Sequence, residues 1–320
     1  MTIENRLRKQ LTQLATAIIL IAMLSGAAVS QSDFLQGVPT SDGEWLVPSP
    51  RTGRTVTEPI RVDITRVGVF MIDPTGGSTI RPDIIQTDHF SVFDLIVQLG
   101  ARGDIDLEFH YDEAMATHVI DSVNGDSGWW YEAHYDNGWF EDNSQRMDTY
   151  LVKNGTAVRL FRERSSRLST LYGEFETEVE RLKANDDVVI IPRVTIGGSR
   201  RDVLRFENVE VTAHDTRLDL VQPGTITALD ILLSLGEQGS ITELGVLWYD
   251  AIFSADPVDH YFVEYLVADG FEERAHGSCG FVYETGYSSL AGFAGAHIHI
   301  PTDARVIVSP EYALWFWICL

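Results

Sequence analysis

Three groups of residues have types and spacings that can do chemistry. His297-Ile-His299 places two imidazoles on one side of an extended segment, about 7 Å apart. That spacing suits two ligands of a Zn²⁺ or Cu²⁺ site, with Asp303 or Glu311 as a third; the plainer alternative is a pair of ordinary strand residues. Trp129, Trp130, Tyr131, Tyr135, Trp139 and Phe140 form the densest aromatic cluster of the chain. On a strand Trp129 and Tyr131 share one face and Trp130 takes the other. One face belongs to a core. The other is either packed against a neighbouring segment or a platform for a sugar ring or flat heterocycle, rimmed by Glu132, His134 and Asp136. Trp129, Trp130, Tyr135 and Trp139 are therefore the candidate ligand contacts. Asp136 to Asn143 offers oxygen ligands for Ca²⁺, but without helix–loop–helix spacing it reads as a solvated acidic loop.

Catalytic patterns are missing from the sequence. It has no Gly-x-Ser-x-Gly, no His-Glu-x-x-His and no phosphate loop. Glu132 and Glu284 each follow a tyrosine, Tyr131 and Tyr283, and a recurring acid at a repeated strand position fixes an edge or a hydrogen bond more naturally than it forms a catalytic pair. The expectation is a protein that is not an enzyme and has no cofactor. Cys279 and Cys319 are the only cysteines. In an exported chain an even pair implies a disulfide, and only His276 stands near enough to suggest metal instead.

The elements that must position these residues occur twice. Arg81-Pro-Asp83 and the run from Gln86 to Ile105 return 136 residues later as Arg217-Leu-Asp219 and Gln222 to Ile241. Ser127-Gly128-Trp-Trp-Tyr131-Glu132 answers to Cys279-Gly280-Phe-Val-Tyr283-Glu284 in the same order, so the chain is a duplicated domain. Ser91-x-x-Asp94 and Thr227-x-x-Asp230 are capping boxes, each opening a helix that closes near Gly100 or Gly236. Val92, Leu95, Ile96 and Leu99 give the first helix one apolar face. Strands follow at 107–111, 118–123, 129–135 and 157–161. In the second copy the spacing predicts strands at 246–249 and 297–300, with Arg305 to Val308 closing the unit. Ser165 to Ala184 has helical spacing and dense charge, and 188–196 and 203–213 read as strands that begin the second unit. The terminal run Leu314-Trp-Phe-Trp-Ile-Cys319 is an apolar strand that either pairs with a partner or closes its own sheet.

The domain organisation that follows is a signal peptide at 1–30, a linker arm at 31–57, a first domain at 58–162, a linker helix at 163–186 and a second domain at 187–320. Arg6, Arg8 and Lys9 precede the apolar stretch from Leu14 to Leu24, and Ala28-Val29-Ser30 fits a cleavage site. The expected location is secreted, periplasmic or at the cell surface, with membrane contact only through an uncleaved signal segment. The 320 residues hold 47 acidic against 24 basic side chains, a net charge of −23, which disfavours nucleic acid as a partner. Lys9, Lys153 and Lys183 are the only lysines.

Ser91 to Gly100, Ile120-Asp-Ser-Val-Asn-Gly125, Gly128-Trp-Trp-Tyr131 and Tyr150 to Val158 together resemble the transcobalamin-type C-terminal domain of exported bacterial proteins. The resemblance covers 85–162 and is weaker over 221–310, where the Ser-Val-Asn-Gly turn is lost. It implies an α+β fold of two β-grasp-like domains, each one short helix on a small mixed sheet. In that family the module covers one face of a corrinoid. For this chain it implies an exported, non-catalytic module contacting a small planar molecule or a glycan, or another surface protein as part of a cell-surface assembly.

Overall fold

The computed structural model describes residues 35–37, 48–75, 77–135, 141–200, 202–250, 259–290 and 300–319. The signal segment, Trp139, His297 and His299 lie outside them. In the arm, β1 (Leu35–Gly37) precedes the first repeat. That repeat opens with β2 (Ile60–Ile64) and β3 (Gly68–Ile72), an antiparallel hairpin. Helix α1 (Val92–Ala101) follows, started by the expected capping box: the Asp94 N–H donates to Ser91 Oγ at 3.2 Å and the Ser91 N–H donates to Asp94 Oδ2 at 2.7 Å. Val92, Leu95, Ile96 and Leu99 are buried, so the periodic face is the face that packs.

Next come β4 (Leu107–Asp112) and β5 (Thr117–Val123), which pair with each other as a small separate sheet. β6 (Trp129–Tyr135), the short β7 (Glu141–Asp142) and β8 (Thr156–Arg162) complete the repeat. Its main sheet has the order β3-β2-β8-β6-β7, with β2 and β8 parallel at the centre. Helix α2 (Ser165–Ala184) then leads to the second repeat and buries Leu168, Leu171, Phe175 and Val179.

The second repeat runs through β9 (Val189–Gly197), β10 (Val203–Val211) and α3 (Ala228–Glu237), the last again started by a capping box. β11 (Glu243–Tyr249), β12 (His260–Ala268), β13 (Phe271–Arg274), β14 (Cys279–Gly286) and β15 (Tyr312–Cys319) follow. The order β10-β9-β15-β14, with β9 and β15 parallel, repeats that of the first sheet. The chain is an α+β protein built twice.

Two expectations change. The strand that closes the second repeat is β15, not Arg305 to Val308. The Arg305 carbonyl accepts from Ala228 N–H and Ile307 N–H donates to the Ile226 carbonyl, so that segment spends its backbone on the start of α3. Tyr150 to Val152 does the same for α1 in the first repeat, through Val92 N–H to the Tyr150 carbonyl. The arm is also more than a linker. β1 adds antiparallel to β11, which makes the second repeat's small sheet β1-β11-β12-β13.

The repeats meet about a local two-fold. Ile85 and Val221 face each other antiparallel. Gln86 N–H donates to the Leu220 carbonyl at 2.9 Å and Gln222 N–H to the Ile84 carbonyl at 2.8 Å. The two glutamine side chains repeat the exchange at 3.3 Å each, to the Val221 and Ile85 carbonyls. Such self-complementary contact is what a symmetric dimer interface looks like within one chain. Cys279 and Cys319 form the expected disulfide, tying β14 to β15. Among the described residues no helix is long and apolar enough to cross a membrane. The disulfide is compatible with an exported protein.

Candidate functional site

The duplication builds one polar cluster twice, and the copies differ in what covers them. Each starts from a turn that brings an arginine and an aspartate two residues apart onto one side. In the second repeat Arg217 Nε and Nη2 donate to the two oxygens of Asp219, at 2.9 Å each. Its Nη1 donates to Asp303 Oδ2 at 2.7 Å and to the Asp259 carbonyl at 3.2 Å. Those bonds use both Nη1 protons, so the 2.7 Å approach of Nη1 to His260 Nδ1 is not a third donation. His260 Nδ1 then carries a proton and donates to Asp303 Oδ1 at 3.0 Å, while Tyr261 N–H donates to Oδ2 at 3.1 Å. Burial pushes the His260 imidazole down to about 4, against the pull of Asp303. Burial also acts to raise Asp303, but His260 and Arg217 hold it down to about 2.

In the first repeat Arg81 Nε and Nη2 donate to Asp83 at 3.0 and 2.8 Å, and Nη1 donates to Asp148 Oδ2 at 2.9 Å. Asp148 also accepts from Thr117 Oγ1 at 2.7 Å and His118 N–H at 2.9 Å, and meets His118 Nδ1 at 3.0 Å. Burial works to raise Asp148; the His118, Arg81 and Thr117 contacts prevail and hold it below the usual carboxylate range. The strand registers show that Thr117 occupies the place of His260, so the imidazole enters one residue later here. Each guanidinium lies over a ring: Arg81 over Tyr111 at 5.8 Å, Arg217 over Trp248 at 5.1 Å.

The described part of the arm covers the second cluster. Gly53 N–H donates to Asp219 Oδ2 at 2.8 Å and Arg54 N–H to Asp259 Oδ2 at 3.1 Å. The Tyr261 hydroxyl donates to the Ser49 carbonyl. A Cβ on Gly53 would stand 3.1 Å from Arg217 Nη2 and from Asp259 Cβ, so the backbone passes very close. Nothing described lies over the first cluster in the same way: the Asp83 side chain is 61% exposed where that of Asp219 is 8% exposed. What the open copy turns outward is a carboxylate, the rings of Phe109 and Tyr111 and the edge of β4. These are hydrogen-bond acceptors beside apolar surface.

The residues singled out from sequence are placed otherwise. Trp129 and Trp130 are each 3% exposed, in the core rather than on a platform. β6 is covered on both faces. The Trp130 ring lies under α2, 6.2 Å from Tyr172 and 6.2 Å from Phe175, and its N–H donates to the Asn143 carbonyl at 2.9 Å. The Trp129 indole Nε1–H donates to the Asp126 carbonyl. Tyr135 ends β6 opposite Thr156, and Trp139 is outside the described residues. So are His297 and His299. Of the two acids offered beside them, Asp303 is enclosed with Arg217 and His260, and Glu311 accepts from Ser288 N–H and Oγ at 2.6 and 2.7 Å. Among the described residues no three His, Cys, Asp or Glu groups converge as a metal would need. Glu132 accepts from Arg159 at 3.2 Å and Glu284 accepts from the Tyr312 hydroxyl, hydrogen bonds within the sheets.

The repeated Arg-x-Asp was visible in the sequence repeat, without a sign of its use. Asp148 and Asp303 were not recognisable as partners, because loops of different length separate them from their arginines. No protein-family model, no curated protein and no solved structure matches the chain.

Proposed function

We propose that this chain is an exported, non-enzymatic binding module with two β-grasp-like units, whose interaction face lies on the first repeat around Asp83, Phe109 and Tyr111. A β-grasp reading is supported by the order of each main sheet: a leading hairpin, a parallel closing strand beside its first member, and an antiparallel strand beyond, with one capped helix. One observation carries the functional reading: the arm covers Asp219 in one repeat, while its counterpart Asp83 is exposed in the other, with the rest of each cluster buried. With Trp129 and Trp130 in the core, the exposed aromatic pair among the described residues of the first unit is Phe109 and Tyr111, at 38% and 40% exposure. An interaction role in a surface assembly suits this face, since the pair lies two residues apart on one exposed strand at the end of a sheet.

The test is a displayed random-peptide library panned against the purified protein and counter-screened on Tyr111→Ala and Asp83→Ala. Enriched peptides should lose at least about tenfold in affinity on one or both variants, the loss expected when a contact at the centre of an interface is truncated. A library that yields no binder sensitive to either substitution overturns the reading.

A further inference from the structure

We propose that the outer edge of β4 accepts an extended, basic segment of a partner protein as an added antiparallel strand, with a glycine or other small residue crossing at Asp83. The proposal rests on the binding reading above and names the partner of that same face. The comparison that carries it is internal to the molecule. β4 and β11 correspond residue for residue: Leu107 to Leu244, Glu108 to Gly245, Phe109 to Val246, Tyr111 to Trp248. The correspondence follows from their pairing with β5 and β12, and the same irregularity interrupts both ladders, between Glu108 and Phe109 and between Gly245 and Val246.

In the second repeat the outer edge of β11 is taken. Leu35, Gln36 and Gly37 pair with Val246, Gly245 and Leu244, and the arm continues over the cluster so that Gly53 bonds Asp219. The shared irregularity therefore does not prevent strand addition. In the first repeat the corresponding residues Phe109, Glu108 and Leu107 face no strand on that side among the described residues. Val246 is 3% exposed while Phe109, in its place, is 38% exposed. An uncovered strand edge leaves backbone N–H and C=O groups without partners, which is the template that strand-adding peptides use. Phe109 and Tyr111 stand two apart on one face, so they form an apolar strip along that edge.

Among the described residues one arm meets two such edges and is spent on the second repeat, so the occupant assigned to the first edge is a different protein. Its chemistry follows from the charges around the edge. Glu108 and Asp112 lie on β4 itself, Glu113 follows it, Asp83 is exposed beside the cluster, and Arg81 is already engaged by Asp83 and Asp148. A segment carrying Lys or Arg is favoured there, as the Arg51-Thr-Gly53-Arg54 stretch is favoured beside Asp219 and Asp259.

Two synthetic peptides test this: residues 33–57 of this chain, and the same peptide with Asp42→Lys and Glu44→Lys. Each is titrated into the full chain, and amide hydrogen exchange is read on the unaltered protein. Strand addition is expected to slow exchange of amides within Leu107–Asp112. Binding is expected to weaken at least about tenfold with Asp83→Ala but not with Asp219→Ala, and the lysine peptide to bind more tightly at low salt only. Protection confined to β11 means that the peptide merely replaces the native arm, and overturns the proposal. Binding at Tyr111 without protection of β4 amides overturns strand addition while leaving the binding face standing. No binding of either peptide by about 1 mM, the weak end of specific association, also overturns it. The exchange measurement needs no variant, so a misfolded Asp83→Ala does not spoil the test.

Discussion

Trp130 and His260 are the side chains through which the core and the buried cluster are most directly tested. Truncating Trp130→Ala removes a large ring from beneath α2 and leaves the Asn143 carbonyl without its indole donor. A loss of about 3–5 kcal/mol is expected, the range for large aromatic truncations in cores. It should appear as a lower urea midpoint at unchanged slope. A midpoint within error of the parent would return Trp130 to the surface. For His260 the folded value of about 4 lies below the ordinary 6.5. The unfolded chain therefore takes up a proton that the folded chain refuses, and stability that is full above pH 6.5 is lost as pH falls toward 4. Asp303, held at about 2 against an ordinary 3.8, adds a further loss below that ordinary value. Urea midpoints measured from pH 7 to pH 2 should fall through both windows. His260→Asn keeps a donor in the place of Nδ1 but does not titrate, so it should flatten the upper window alone. An unchanged upper window would assign that loss to other groups.

At the scale of elements, what could be read from the sequence is what local chemistry dictates. Ser91 with Asp94 and Thr227 with Asp230 form their capping boxes because the reciprocal bonds lie within one turn. The apolar positions of α1 bury as their period requires. The closing strand of the second repeat is not told from sequence because Arg305 to Val308 and Tyr312 to Cys319 are both rich in β-branched or aromatic residues; only their hydrogen-bond partners, the start of α3 and β9, tell them apart. β1 is three residues long and carries no period, so nothing local announces that it joins β11. Trp129 and Trp130 announce a large aromatic contribution without saying that α2 covers it. The disulfide was legible from cysteine count, and its worth follows from the 40 residues that it closes. On the chain-entropy model that loop is worth about 4 kcal/mol. Cys279→Ser with Cys319→Ser should lower stability by up to that amount. A stability equal to the parent's would mean that pairing of β14 with β15 already restrains those chain ends in the unfolded state.

At the scale of the molecule, the two repeats are joined by more than their duplicated turn. The core of the first unit draws in Leu220, Tyr287, Ile300 and Val306 of the second. Helix α2 contributes Glu178, which pairs with Arg146 of the first repeat and accepts from the Tyr287 hydroxyl of the second at 2.7 Å. All three side chains are buried. Arg146 also donates to the Met115 and Phe175 carbonyls, at 2.9 and 3.2 Å, so its guanidinium is held in place even before the ion pair is counted. Glu178→Ala would leave that charge fixed in the interior with no carboxylate and take the acceptor from Tyr287. Breaking one side of a buried pair costs about 3–5 kcal/mol, far more than a surface pair, because the remaining charge keeps its desolvation penalty. The loss falls on the junction, since the second core is a separate cluster of residues. Calorimetry of the parent should therefore give one cooperative transition, and Glu178→Ala two, with the first repeat melting earlier. A single shifted transition in the variant would mean that the Gln86 and Gln222 exchange and the shared apolar contacts suffice to keep the repeats one folding unit.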